Sequence, residues 1–122
     1  MTPLLLAFTL ALPGSARDAQ AIVLRLGAPW CAPCLEMEPA FHGVARSLSG
    51  WVSFVQVDAT EDRGAARALG VHSLPATAIL WRGRLLELTL GYLTAGEQLA
   101  LGLRAALLPI VLDALGPAPP ES

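Results

Sequence analysis

Apolar residues follow two repeats along this chain, and each repeat predicts a different kind of element. Four short apolar runs, bounded by Gly, Pro or Asp, predict β-strands over residues 21–26, 51–57, 76–81 and 85–90. The first run is apolar at every position except Arg25, so we expect a central strand buried on both faces. The last two runs are separated by three residues that include Gly83, which predicts a hairpin.

Three helices are predicted from apolar side chains that recur at every third or fourth position. The first begins near Cys31 and ends before Gly50, with a kink expected at Pro39. The second is short, is capped by Thr60 and ends at Gly70.

The third predicted helix begins at Thr94, where Glu97 three residues later completes a capping box. Pro109 is expected to interrupt or end this helix, because proline lacks the N–H that a helix interior needs. The helix should turn one apolar stripe toward the core, consisting of Leu99, Leu103, Ala106 and Leu107.

The predicted order is strand, helix, strand, helix, hairpin and final helix. A strand–helix–strand unit favours parallel pairing of the first two strands, and the hairpin adds antiparallel pairs. The sequence therefore predicts an α/β domain, with a mixed sheet and helices on both of its faces. We assign this domain to residues 17–116 and expect the Pro-rich residues 117–122 to form a disordered tail.

The amino-terminal residues 1–16 have two interpretations. An apolar run over residues 4–12, followed by the small residues Gly14 and Ala16, is typical of a secretory signal peptide and indicates an extracytoplasmic protein. No basic residue precedes the run, however, and residues 4–10 could instead form a first strand of a cytoplasmic protein. Nine residues are too few to span a bilayer, so we expect no stable membrane insertion of the mature domain.

Composition restricts the function further. The 122 residues carry 8 basic and 10 acidic side chains, and this net charge of −2 offers no basic surface for nucleic acid. With 54% hydrophobic and 15% charged residues, the chain is not disordered as a whole, and its length fits one domain, which we expect to be monomeric. Two cysteines exclude a disulfide-rich scaffold and a cysteine-only zinc ribbon.

The candidate chemistry lies in the sequence Trp-Cys-Ala-Pro-Cys at residues 30–34. Two thiols three residues apart at the start of a helix can form and open a disulfide without unfolding the domain. The helix amino terminus favours the thiolate of Cys31, and Cys34, one turn deeper, can resolve a mixed disulfide on Cys31. Pro33 suits an early helical position, where its missing N–H would have had no partner.

Other interpretations of the two cysteines remain open from the residues alone. They could form half of a zinc site completed by His42 and His72, although these histidines lack the paired spacing of a zinc finger. They could also form a purely structural disulfide or remain inert thiols. Each histidine could equally be a non-catalytic residue, and His72 lies in a loop that we expect to approach the thiols.

Taken together, these motifs resemble the thioredoxin family. The resemblance covers roughly residues 21–108 and includes the two cysteines after an apolar strand, Pro39 in the following helix and Gly91 after the hairpin. Residues 73–77, Ser-Leu-Pro-Ala-Thr, are similar to the loop that carries the cis-proline of the family.

The resemblance implies a docking groove for an extended protein substrate. Pro75 would be the cis-proline, and the backbone of Leu74 before it would pair with the substrate. Trp30, Pro75 and Gly91 would supply the surface of the groove. The alternative for Pro75 is a trans proline that begins a strand.

One position departs from the family pattern. Thioredoxins usually carry a buried Asp six residues before the first cysteine, and here that residue is Arg25, which cannot accept a proton at neutral pH. Phe54 is expected near the position of the Lys that accompanies this Asp. Arg25 either reaches toward the thiols and favours thiolates, or extends to the sheet edge. Glu38 is a candidate proton acceptor or a solvated glutamate on the helix surface.

The resemblance implies a thiol–disulfide oxidoreductase that needs no metal or organic cofactor. Cys31 would attack a protein disulfide and Cys34 would release the product. The Ala-Pro pair between them favours a reductase, recharged by a membrane thiol carrier outside the cytoplasm or by a flavin-dependent reductase inside it. The alternative is a non-catalytic binding or assembly module with the same fold.

Overall fold

A computed structural model describes residues 20–116 of the chain. The predicted signal peptide or first strand (1–16) and the predicted tail (117–122) lie outside these residues. Seven elements follow one another in the predicted order. They are β1 (Ala21–Gly27), α1 (Ala32–Ser47), β2 (Val52–Asp58), α2 (Arg63–Leu69), β3 (Ala76–Trp81), β4 (Arg84–Leu90) and α3 (Ala95–Leu115).

The four described strands form one mixed sheet in the order β2-β1-β3-β4. β1 and β2 are parallel, whereas β1–β3 and β3–β4 are antiparallel, as the order of the elements predicts. All seven residues of β1 are buried, because this strand has a neighbour on each side and helices over both faces. The α/β class predicted from the sequence, with a mixed sheet and helices on both of its faces, is confirmed.

The register of β1 against β2 defines the neighbours of Arg25. Ala21 pairs with Val52, and this offset continues along the strands, so that Arg25 stands beside Gln56. Phe54 pairs with Val23, two residues before Arg25 on the same strand.

Two apolar layers cover the sheet, one on each face. The layer under α1 and α3 includes Val23, Met37, Phe41, Ile79 and Leu101. The layer under α2 includes Leu24, Leu26, Leu69, Val71 and Ala78. Because burial of one such large apolar side chain contributes about 1.5–3 kcal/mol, these layers hold the helices against the sheet.

The amino terminus of α2 differs from the prediction. Asp62, not Thr60, caps the helix, and its carboxylate accepts a hydrogen bond from the N–H of Ala65 at 3.3 Å. Thr60 is already engaged, because its N–H and hydroxyl both donate to Asp58 Oδ1, at 2.8 and 2.6 Å. Gly70 ends the helix in the left-handed conformation, as expected.

The helix α3 begins as predicted but buries a different face. Thr94 and Glu97 form the capping box, and the helix continues past Pro109, which was expected to interrupt or end it. The predicted stripe is wrong, since its three leucines are exposed on the outer surface. The buried residues are Gln98, Leu101, Gly102, Ala105 and Pro109. The exposed ones include Leu99, Leu103, Leu107, Ile110 and Val111.

Gly102 explains which face of α3 packs inward. A Cβ atom at this position would lie 2.8 Å from Leu48 Cδ1 and 2.9 Å from Val44 Cγ1, so a larger residue would force these two side chains to move, whereas glycine lets α3 approach them closely. The helix α3 carries apolar residues on its exposed side as well as on its buried side. By length and composition alone it could cross a bilayer, as can the core helices of many soluble proteins.

Candidate active site

The two cysteines lie at the start of α1, where the sequence places them. Cys31 is the amino-terminal cap of the helix, and it forms a disulfide with Cys34 across a Cα–Cα distance of 5.2 Å. The N–H of Cys34 donates a hydrogen bond to the Cys31 sulfur at 3.2 Å. Because an N–H donor and the positive end of the helix dipole both favour a negative charge here, this site would stabilise a Cys31 thiolate after reduction.

The surroundings of the two sulfurs are apolar and mostly closed. Cys31 and Cys34 are buried and pack with Ala28, and the half-buried Leu74 covers this small cluster. Trp30, in contrast, is 72% exposed. Pro33 occupies the first turn of α1, as its missing N–H requires.

The loop before β3 lies next to the cysteines. The Leu74–Pro75 peptide bond is cis, and Pro75 is fully buried. Its carbonyl oxygen accepts a hydrogen bond from the N–H of Gly91 at 2.8 Å, which holds the residue after β4 against this loop. Gly91 has a φ of +94°, a conformation that side-chain-bearing residues rarely adopt.

A cavity of about 270 Å³ extends from this loop. Trp30 and Leu74 line it together with His72, an exposed residue that the sequence singled out beside the thiols. The four residues proposed for substrate docking, Trp30, Leu74, Pro75 and Gly91, therefore lie on or beside one surface.

The zinc alternative finds no support in the described part of the chain. His42 lies on α1, where its ring stands 6.2 Å from that of Phe41. Within residues 20–116, no three His, Cys, Asp or Glu side chains lie together in an arrangement that could hold a metal ion.

Arg25 extends from β1 toward the helix that carries the cysteines. It is 3% exposed, and its Nη1 donates to the carbonyl oxygen of Cys34 at 3.3 Å. Its Nη2 lies 3.5 Å from Glu38 Oε1, and its guanidinium carbon lies 4.8 Å from the centre of the Phe41 ring. Arg25 therefore extends toward Cys34 and not to the edge of the sheet.

The electrostatic balance at Arg25 is set by burial and by one carboxylate. Burial lowers the pKa of Arg25, and the charge and hydrogen bond of Glu38 partly oppose that effect. The Glu38 side chain is 44% exposed, so solvent screens this ion pair. Arginine still carries its charge at neutral pH.

An open cavity of about 370 Å³ lies behind Cys34. Its lining includes Arg25 and Glu38, which the sequence singled out, and Gln56 and Asp58 from β2, which it did not. Both β2 residues become candidates only once the parallel register with β1 is known. Gly27 also lines this cavity, and a Cβ there would lie 3.3 Å from Cys34 Cβ, so glycine lets β1 pass close to the cysteine.

Comparison with known proteins gives one consistent result. The thioredoxin family model matches residues 15–101. Thioredoxin of Bacillus subtilis (strain 168) is 29% identical over 79 residues, which cover 64% of this chain and 76% of that protein. Thioredoxin H2 of Arabidopsis thaliana is 33% identical over 70 residues, covering 57% of this chain and about half (52%) of its own length.

Solved structures support the same fold. The X-ray structure of Fasciola hepatica thioredoxin superimposes with a TM-score of 0.67 at 23% identity, covering 72% of this chain and 83% of that one.

Proposed function

Because this chain belongs to the thioredoxin family and carries its cysteine pair, which makes it a thiol–disulfide oxidoreductase, we propose that it reduces disulfides of protein substrates. The observation that carries this proposal is the position of Cys31, capping α1 with the Cys34 N–H at its sulfur. This arrangement favours a thiolate at the first cysteine of the pair. The reaction uses no metal or organic cofactor bound to the domain.

The proposed reaction starts from the reduced protein. The Cys31 thiolate attacks one sulfur of the substrate disulfide, forms a mixed disulfide and expels the other substrate sulfur as a thiolate. Cys34 then loses its proton and attacks the Cys31 sulfur, which releases the second substrate thiolate. The substrate gains two electrons, and its two thiolates take up protons from solvent. The domain is left with the Cys31–Cys34 disulfide.

Substrate docking is proposed for the surface around the cis peptide bond. An extended substrate segment would pair with the backbone of Leu74, which precedes the proline and lies over the cysteines. The exposed ring of Trp30 and the backbone at Gly91 would flank that segment. Burial of Cys31 is consistent with attack only on a substrate that is docked in this groove.

A dithiol donor must reduce the pair again after each cycle. We propose a membrane thiol carrier if residues 1–16 direct the protein outside the cytoplasm, which is the location we favour, and a flavin-dependent reductase if they do not. The domain would act as a monomer. Determination of the mature amino terminus distinguishes the two locations, because cleavage of a signal peptide would leave a protein that begins near Arg17.

The test compares the rate of insulin disulfide reduction by dithiothreitol with and without the protein. Wild-type protein should accelerate the reaction, whereas Cys31→Ser should abolish the acceleration, because the attacking sulfur is lost. Ser49→Ala, an exposed substitution after α1, serves as the matched control and should retain the wild-type rate. Equal rates for wild type and Cys31→Ser would overturn the proposal and favour a non-catalytic binding module.

A second variant identifies the substrate. Cys34→Ala cannot resolve the mixed disulfide, so it should retain substrate proteins covalently on Cys31 until a reductant is added. The double variant lacking both sulfurs is the control for non-covalent retention.

A further inference from the structure

We propose that Arg25 activates Cys34 electrostatically: its buried guanidinium stabilises the Cys34 thiolate and makes the disulfide more oxidising than it would be beside a neutral residue. This inference rests on the proposed function, since it assigns Cys34 as the resolving sulfur. Arg25 is a positioning residue, because its hydrogen bond to Cys34 is made to the backbone carbonyl and not to the sulfur.

The first argument is the location of the charge. Arg25 and Cys34 line the same cavity, and Arg25 Nη1 already donates to the Cys34 carbonyl. The Nε atom of Arg25 is buried and has no hydrogen-bond partner. A buried guanidinium with an unused donor is costly, and an anion placed close by would offset that cost.

The second argument compares Arg25 with the other charges around the cavity. Two carboxylates also line it, Glu38 from α1 and Asp58 at the end of β2. Glu38 is 44% exposed and lies 3.5 Å from Nη2, so solvent weakens this pair. Asp58 remains an anion, since hydrogen bonds from Thr60 lower its pKa, and its accepting oxygen is held toward Thr60. Arg25 is the charge that is both buried and hydrogen-bonded to Cys34, so its field acts on that cysteine with the least screening.

The consequence follows from the change in charge on reduction. The disulfide is neutral. Two electrons from a dithiol break its S–S bond and leave two cysteine sulfurs, of which one or both are thiolates. The protons of the donor go to solvent or to the sulfur that stays neutral. Because only the reduced state offers Arg25 an anion, Arg25 favours reduction and raises the reduction potential.

The same effect serves the resolving step. While Cys31 is held in a mixed disulfide, Cys34 is the one free thiol of the chain, and it must ionise before it attacks. The described residues place no carboxylate on β1 beside it, because Arg25 occupies that position. On the described strand β1, no buried carboxylate is available to remove the proton of Cys34. Arg25 instead makes ionisation of Cys34 easier by stabilising the thiolate that results.

The test isolates Cys34 in the Cys31→Ser protein, where it is the one remaining thiol. The thiolate absorbance of Cys34 is titrated with pH in three proteins that all carry Cys31→Ser: one with the native Arg25, one with Arg25→Met and one with Arg25→Lys. The pH midpoint should rise by about one unit or more in Arg25→Met, the effect expected when a nearby opposite charge is lost. Arg25→Lys should restore most of the shift. Arg104→Met, which removes an exposed arginine paired with Glu87, is the matched control and should leave the midpoint unchanged.

The redox equilibrium gives a second readout in the two-cysteine protein. In glutathione or dithiothreitol buffers, Arg25→Met should shift the equilibrium at least tenfold toward the disulfide, which corresponds to about 30 mV for a two-electron couple. An unchanged midpoint and an unchanged equilibrium in folded Arg25→Met would overturn the proposal.

Glu38→Gln keeps the proposal testable if Arg25→Met does not fold. Loss of this carboxylate leaves Arg25 less neutralised, so the Cys34 midpoint should fall, opposite to the shift in Arg25→Met. A rise or no change would contradict the proposal. Because neither titration uses a protein substrate, both results are independent of whether the domain acts as a reductase.

Discussion

The N–H of Gly91 donates a hydrogen bond to the carbonyl oxygen of Pro75 at 2.8 Å. This bond joins the end of β4 to the loop beside the cysteines, so the hairpin and the active site share a backbone contact. Gly91 makes the contact with a φ of +94°, and no atom lies within 4 Å of the place where a Cβ would be. The requirement for glycine here is therefore one of backbone conformation and not of space.

Gly91→Ala should lower the free energy of unfolding by about 1–2 kcal/mol, the cost of holding an L-residue at positive φ. Urea denaturation measures the change. The matched control is Gly43→Ala, which also adds a methyl group in open space but within the helix α1. That substitution should raise stability by about 0.5–1 kcal/mol, because alanine is the better helix former. Equal effects of the two substitutions would contradict this account.

A pair of leucines tests which face of α3 packs inward. Leu101 is 3% exposed and Leu103 is 44% exposed. Leu101→Ala should cost about 2–5 kcal/mol of unfolding free energy, because it removes buried methyl groups and leaves a cavity. Leu103→Ala should change stability by less than about 0.5 kcal/mol, as is usual for exposed positions. If thermal or urea denaturation showed a larger loss of stability for Leu103→Ala than for Leu101→Ala, the apolar stripe predicted from the sequence would be the buried face after all.

The capping box of α3 predicts a pH-dependent stability. Hydrogen bonds from the N–H and the hydroxyl of Thr94 lower the pKa of Glu97. A carboxylate with a lowered pKa stabilises the fold fully above the ordinary carboxyl range, and this contribution is lost as pH falls through the lowered pKa. The stability difference between wild type and Glu97→Ala should therefore shrink as the solution is acidified from neutral pH.

The control for this measurement is Glu61→Ala, which removes an exposed glutamate outside the helices. Its stability difference from wild type should vary less with pH over the same range. A Glu97→Ala difference that is constant or grows on acidification would show that the carboxylate is not what stabilises the cap.

Sequence patterns predicted the elements whose signals are local. The apolar run of β1 between polar segments, the glycine of the hairpin and the Thr94–Glu97 box each depend on neighbours within a few residues. The placement of Cys31 at the start of α1 could be predicted for the same reason, since an apolar strand, a proline-containing turn and a helical pattern follow in order.

The sequence-based predictions were wrong where two nearby residues could play the same role, or where packing against a distant segment determined the outcome. Thr60 and Asp62 can both cap α2, and Asp58 decides between them by engaging Thr60. The helix α3 has leucines on several sides, and the approach of α1 to Gly102 selects the buried one. Gln56, the neighbour of Arg25 on β2, could not be predicted from the sequence, because it depends on the register of two strands separated by a helix.

The tryptophans of the described domain lie in different environments. Trp30 stands beside the disulfide and is 72% exposed, Trp51 is 62% exposed, and Trp81 is 6% exposed within the core. Fluorescence of Trp81 should respond to global unfolding. A disulfide quenches the emission of a neighbouring indole, so fluorescence of Trp30 should increase when the Cys31–Cys34 disulfide is reduced. Intrinsic fluorescence can thus follow redox state and folding in one sample, with no attached dye.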